Sequence, residues 1–142
     1  MKKIVLSALL TVSVAVIAAA QCDKNIILTS SKTQYLDSGF TLMRTVDEKV
    51  VIEISKTEIT IIPGSEDDKM GGTIQSATCN WQQPYKEGKS ILRVPIKDRS
   101  GDVKNATITI EGKDGRLTLL LEAVEMPDKK IRIDLDRFEE KK

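Results

Sequence analysis

The 142-residue sequence contains no histidine and only five aromatic residues. Without imidazole, Ser-His-Asp and Cys-His catalytic sites and His-ligated zinc sites are excluded. The motifs Ser-x-x-Lys, Gly-x-Ser-x-Gly and Cys-x-x-Cys and the glycine-rich phosphate loops are also missing. With so few aromatic rings, a core of Ile, Leu and Val is expected, and any cavity should prefer an apolar ligand over a sugar. The sequence therefore predicts no catalytic residue, metal site or cofactor. A carboxylate-dependent hydrolase is the one enzymatic alternative.

Neither positive nor negative charge is in large excess. The chain has 22 Lys and Arg against 21 Asp and Glu, for a formal net charge of +1. Basic and acidic residues alternate along the chain instead of forming blocks. Neither a nucleic-acid surface nor a polybasic membrane patch is therefore expected.

The first twenty residues have the organisation of an export signal. Lys2 and Lys3 form a short basic region, residues 4–17 are apolar, and Ala18-Ala19-Ala20 supplies a cleavage site. The apolar run is too short to span a bilayer comfortably, and it lacks the flank of a stop-transfer segment. We expect a cleaved signal peptide over residues 1–20, a single domain over residues 21–142, a periplasmic or secreted location, and no membrane span after cleavage.

Two cysteines follow the signal, Cys22 and Cys79. A disulfide between them can persist outside the cytoplasm, although the position of Cys22 near the mature N-terminus leaves the pairing open. Alternatively, Cys22 is the lipid-modified first residue of an outer-membrane lipoprotein. The lipoprotein signal, as a family resemblance, has a small residue directly before the cysteine and usually Leu three positions before it. Gln21 and Ala19 occupy these positions here, which argues against this alternative.

The domain alternates apolar and polar residues with a period of two, which is typical of antiparallel strands with one buried face. Turn residues follow at short intervals, as in residues 98–102 and 112–115. Residues 30–39 are less clear and suggest an irregular link or one helical turn, and residues 139–142 suggest a disordered tail. About eight or nine strands result, which predicts an all-β antiparallel meander closed as a barrel or split into a sandwich. Six apolar rows define the predicted interior: Val50, Ile52 and Ile54; Ile59 and Ile61; Leu92, Val94 and Ile96; Ala106, Ile108 and Ile110; Leu117, Leu119 and Leu121; Ile131, Ile133 and Leu135.

One segment combines aromatic and amide side chains beside a proline. Trp81, Gln82, Gln83 and Tyr85 surround Pro84, a composition suited to stacking on a ligand or partner. The competing interpretation is a core plug, because Trp81 shares its predicted face with Cys79. We therefore treat these four residues as a candidate contact site, with Trp81 as a candidate core residue.

An export signal followed by a β-meander resembles the small secreted proteins of Gram-negative bacteria that adopt lipocalin-like or related antiparallel barrel folds. The resemblance covers the architecture alone, and the Gly-x-Trp start of many lipocalins is missing. It implies a possible interior ligand site. We expect a non-enzymatic domain that binds a small apolar ligand or an envelope protein. The alternative is a packed structural or cell-envelope interaction module, and a cavity distinguishes the two.

Overall fold

The computed structural model describes residues 22–141, so the predicted signal peptide lies outside the described residues. The described chain forms ten strands, all antiparallel, and one short 3-10 helix. The strands are β1 Asn25–Leu36, β2 Leu42–Ile54, β3 Glu58–Pro63, β4 Met70–Thr73, β5 Ser76–Gln83, β6 Glu87–Lys97, β7 Val103–Lys113, β8 Arg116–Ala123, β9 Met126–Leu135 and β10 Arg137–Lys141, and the 3-10 helix is Glu66–Asp68.

Eight of these strands close into a barrel. Their order is β1-β2-β3-β4-β6-β7-β8-β9, and β9 pairs back onto β1 with Thr33 opposite Ile133. The two remaining strands extend the wall: β5 follows β4 and pairs with β6, whereas β10 follows β9 and pairs with β1. The all-β meander is confirmed, and the architecture is a barrel instead of a sandwich. Closure leaves few unpaired strand edges.

The apolar rows face the barrel interior, as the alternation predicts. Ile108 and Leu119 are fully buried, Ile133 is 4% exposed, and the outer positions between them contact water. Four of the six rows are buried throughout, whereas in the rows of β8 and β9 only Leu119 and Ile133 are buried, and Leu117, Leu121, Ile131 and Leu135 pack against the core while partly exposed. The aliphatic core therefore forms as the period of two indicates.

Two predictions about the strands were wrong. Residues 30–36 continue β1 instead of forming an irregular link, with a register shift between Ser30 and Lys32. The Ser30 hydroxyl donates a 2.6 Å hydrogen bond to the Asp134 carbonyl, which supports the bulge and interrupts the period of two. The tail predicted as disordered is ordered over residues 139–141, which belong to β10, because their backbone pairs with the outer edge of β1.

The predicted turns are present, with one adjusted boundary. Asp114 and Gly115 have φ values of 53° and 78°, the paired left-handed conformation of a type I′ hairpin turn, while Gly112 and Lys113 still belong to β7. In the β6–β7 turn, Asp98 Oδ1 accepts hydrogen bonds from the backbone N–H groups of Ser100 and Asp102, both 3.0 Å. Hydrogen bonds of this kind, from backbone N–H groups to an Asp side chain, fix the turn.

The meander gives the barrel two different ends. The β2–β3, β5–β6 and β7–β8 turns lie at one end, with Cys22 and β10, and we call this the closed end. The β1–β2, β3–β4, β6–β7 and β8–β9 turns lie at the other, which we call the open end. Among residues 22–141 we find no helix with the length and hydropathy needed for a membrane crossing.

Candidate functional site

The closed end is filled by Trp81. This side chain is 5% exposed, and its Nε1–H donates a 2.7 Å hydrogen bond to Ser90 Oγ. Two glycines border the indole: a Cβ at Gly112 would lie 3.0 Å from Trp81 Cζ3, and one at Gly88 would lie 3.0 Å from Trp81 Cε3. Trp81 is therefore a core residue, placed by small neighbours on β6 and β7.

An aromatic stack covers this plug. The Tyr85 ring lies 4.6 Å from the Trp81 ring and 4.3 Å from the Phe138 ring, between centroids. Tyr85 has a φ of 58° in a turn closed by a 3.0 Å hydrogen bond from Lys86 N–H to the Gln83 carbonyl. With proline at the second position, this is a type II turn, in which glycine is usual where Tyr85 stands. Burial raises the pKa of Tyr85 to about 12, Glu140 adds to the rise, and the Ser90 hydroxyl opposes it.

A disulfide ties the same end together. Cys22 and Cys79 are bonded, with their Cα atoms 5.7 Å apart, so that the segment before β1 is attached to β5. The interior space that remains beneath it is about 10 Å³ and is lined in part by Ile54, Leu92 and Ile110. That volume is close to the minimum for a single water molecule. The closed end has no room for a ligand inside.

The predicted contact residues are therefore divided. Trp81 and Tyr85 belong to the packed stack, whereas Gln82 and Gln83 are exposed on the outside of the barrel. Gln82 borders a groove on the outer surface of β5, β6 and β7. Contact of these four residues with a ligand or partner stays a prediction.

The open end contains a cavity of about 700 Å³, which we call the cup. Its apolar walls come from strand ends on both sides of the barrel, and Leu36 and Ile96 are buried at its base. The apolar lining residues are Leu36, Met43, Met70, Ile96, Ala106, Leu121, Ala123, Met126 and Ile131. Sequence reasoning missed this site, because alternation shows which side chains face the interior but does not show where the interior is empty.

Charged residues form the rim of the cup. The Arg44 guanidinium lies 4.4 Å from the centroid of the Tyr35 ring, and Lys130 Nζ pairs with Glu122 Oε2 at 2.7 Å. Asp98 is held in its turn by hydrogen bonds from Ser100 and Asp102, and those bonds lower the pKa of its carboxyl, with Ser100 making the largest contribution. The charged lining residues are Arg44, Asp98, Lys104, Asp128, Lys129 and Lys130. The cup is thus apolar at depth and ionic at its mouth.

Methionine gives a signal that could have located the cup. Apart from Met1, the chain has three methionines, and Met43, Met70 and Met126 all line this one cavity. Their flexible thioether side chains adapt to irregular apolar shapes. Three adaptable residues meeting at one end favour a binding surface over a fixed core.

Metal-ligating side chains do not converge in the described part of the chain. Within residues 22–141, no three His, Cys, Asp or Glu side chains lie close enough together to hold a metal ion. The cup can exclude water from an apolar molecule, and its charged rim can contact a polar end of that molecule.

No protein-family profile matches the chain, and no curated protein or solved structure is significantly similar to it. Its class is therefore defined by its own architecture: a small antiparallel eight-stranded β-barrel with one sealed and one open end.

Proposed function

We propose that this chain is a non-enzymatic binding protein that holds a small apolar or amphipathic molecule in the cup. The observation that carries the proposal is the cavity of about 700 Å³ with apolar walls and a charged rim. Its size falls within the range of about 300–1,000 Å³ that is usual for ligand sites. An apolar body would lie against Leu121, Ile131 and the methionines, and a polar end would remain at the mouth.

Export to the periplasm or secretion is part of the proposal. It rests on the organisation of residues 1–20 and on the Cys22–Cys79 disulfide, because disulfides persist outside the reducing cytoplasm. A lipocalin-like protein of a Gram-negative envelope is proposed from the export signal followed by a closed meander with a ligand space at one end.

The enzymatic alternative finds little support at the cup. A carboxylate-dependent hydrolase needs a carboxylic acid whose pKa is raised, so that it can donate a proton. The hydrogen bonds to Asp98 lower its pKa instead. Asp98 therefore does not fit the role of proton donor in such a reaction.

The test is titration of the purified protein with the fluorescent apolar anion anilinonaphthalene sulfonate. Wild type should bind it with saturation, and Ala123→Trp, which fills the cup with an indole, should weaken binding by more than about tenfold. Thr107→Trp is the control, because Thr107 lies on the outer face of β7. Urea unfolding of each variant verifies the fold. Lack of saturable binding by wild type would favour a structural or envelope-interaction module.

A further inference from the structure

Exposed apolar side chains are concentrated around the mouth of the cup. Among residues 22–141, six large apolar residues are exposed. Five lie at the open end, and the sixth, Ile91, lies on the outer wall of β6. The five are Phe40, Leu42, Met43, Val103 and Val124. Single exposed apolar residues need no explanation, but a cluster around one opening indicates a contact surface.

The five side chains project from three separate places on the rim. Phe40, Leu42 and Met43 come from the β1–β2 turn and the strand that follows it, Val103 begins β7, and Val124 lies in the β8–β9 turn. Exposure reaches 51% for Phe40, 67% for Met43 and 74% for Val124. These side chains stand on turns and strand ends of one pole, beside the charged residues of the rim. They suit insertion into a fluid apolar layer.

The β1–β2 turn holds its aromatic residue outward at a conformational cost. Phe40 has a φ of 64°, which is uncommon for a residue with a side chain. Asp37 Oδ1 accepts hydrogen bonds of 2.9 Å from the N–H groups of Gly39 and Thr41 and thereby fixes the turn. Lys130 Nζ lies 4.3 Å from the centroid of the Phe40 ring. This cation–π contact holds a charged group and an apolar ring side by side at the rim.

The charges at the open end are of both signs. The cup lining has four basic residues, Arg44, Lys104, Lys129 and Lys130, against the acidic Asp98 and Asp128. Lys130 is paired with Glu122, and the acidic Glu66–Asp68 segment lies in the β3–β4 turn at the same end. A strongly anionic surface would attract some of these groups and repel the others. Zwitterionic headgroups, which carry both signs themselves, match this rim better.

We propose that the open end docks on a zwitterionic lipid surface, with Phe40, Met43 and Val124 inserted between the headgroups. This inference builds on the proposed function, because the mouth that meets the lipid is also the entrance of the cup. Apolar insertion drives the contact, so its strength should change little with salt concentration.

The experiment is co-sedimentation of the processed protein with phosphatidylcholine vesicles at low and high salt. Wild type should sediment under both conditions, and Phe40→Ser/Met43→Ser should lower the partition coefficient by about tenfold or more, because two inserted apolar side chains are lost. Ile91→Ser is the matched control and should sediment like wild type. Urea unfolding of both variants shows whether each remains folded.

Several outcomes would overturn the inference: wild type remaining in the supernatant, equal loss for Ile91→Ser, or wild-type sedimentation of the double variant. A dimer in analytical ultracentrifugation that the double variant abolishes, without vesicle binding, would assign the rim to a second copy of the chain. Saturable probe binding without sedimentation refutes the lipid contact alone. Sedimentation without probe binding refutes the cup as a ligand site.

Discussion

At the scale of single residues, Tyr85 shows how local strain and tertiary packing are balanced. The left-handed conformation costs a residue with a side chain about 1–2 kcal/mol. Both faces of the ring are stacked, on Trp81 and on Phe138, and each such contact contributes about 0.5–1.5 kcal/mol beyond burial. The stack therefore offsets the strain, which explains why glycine is not needed in this turn.

The raised pKa of Tyr85 leads to a prediction about pH. Since the folded-state pKa of about 12 exceeds the ordinary value of 10.0, the neutral phenol is favoured by folding. The resulting stability is present below about pH 10 and is lost as the pH rises toward about 12. Urea unfolding across this interval should show a steeper loss for wild type than for Tyr85→Phe, which has no phenol to ionise. Parallel losses in the two proteins would contradict the assignment.

The roles of Gly88 and Gly112 could not be predicted from sequence. A Cβ at Gly112 would lie 2.7 Å from the Lys86 carbonyl oxygen, and one at Gly88 would lie 2.5 Å from the Asn80 carbonyl oxygen. The need for glycine therefore arises from close approach of neighbouring backbone and, at Gly88, also from a φ of 143°. The turn predicted from the sequence over residues 112–115 includes Gly112, whereas Gly112 belongs to β7. Trp81 itself was open to two interpretations, because alternation gives its face but not its neighbours.

At the scale of elements, the faces of the strands are the best-predicted feature. In β9, Ile133 is buried and the adjacent Asp134 is exposed. Ile133→Asp places an unpaired carboxylate in the core and should lower the free energy of unfolding by at least about 3 kcal/mol. Asp134→Asn should change it by less than about 0.5 kcal/mol, since the Ser30 hydroxyl bonds the backbone carbonyl there. Equal losses in urea melts would show that the faces are misassigned.

Strands in which the apolar–polar alternation is interrupted or short were not predicted in full from the sequence. In β1 the bulge at Ser30 shifts the periodicity by one residue, so the second half of the strand looks irregular in sequence. In β10 only Phe138 is partly buried among charged residues, and the strand forms because β1 supplies an edge to pair with. The strand with which a segment pairs is determined by the whole closed sheet, so the local sequence of the segment gives little indication of it.

At the scale of the whole molecule, the disulfide and the cup lie at opposite ends. Closure of a loop with a sequence separation of 57 should make Cys22→Ser/Cys79→Ser less stable than wild type by about 2–4 kcal/mol. The affinity of the cup for anilinonaphthalene sulfonate should stay the same, measured under conditions where both proteins are folded. A matching fall in affinity would show that the two ends are coupled.

The cup could not be predicted, although the all-β antiparallel meander could. Alternation in six rows indicates that a sheet has an inner face, whereas the number of strands is compatible with both a barrel and a sandwich. Whether the interior is filled depends on the sizes of side chains brought together from distant strands, such as Ala106 and Ala123 at the open end and Trp81 at the closed end. The volume therefore becomes visible only when all strands are in place.

Separation of the filled half from the hollow half has an evolutionary consequence. Met43 and Ala123 line the cup without belonging to the core cluster around Ile108 and Leu119, so replacing either alters the shape of the hollow and leaves that aliphatic layer in place. Under the proposed function, descendants of such a scaffold can change their ligand by a few substitutions at one pole without first acquiring compensating stabilisation at the other.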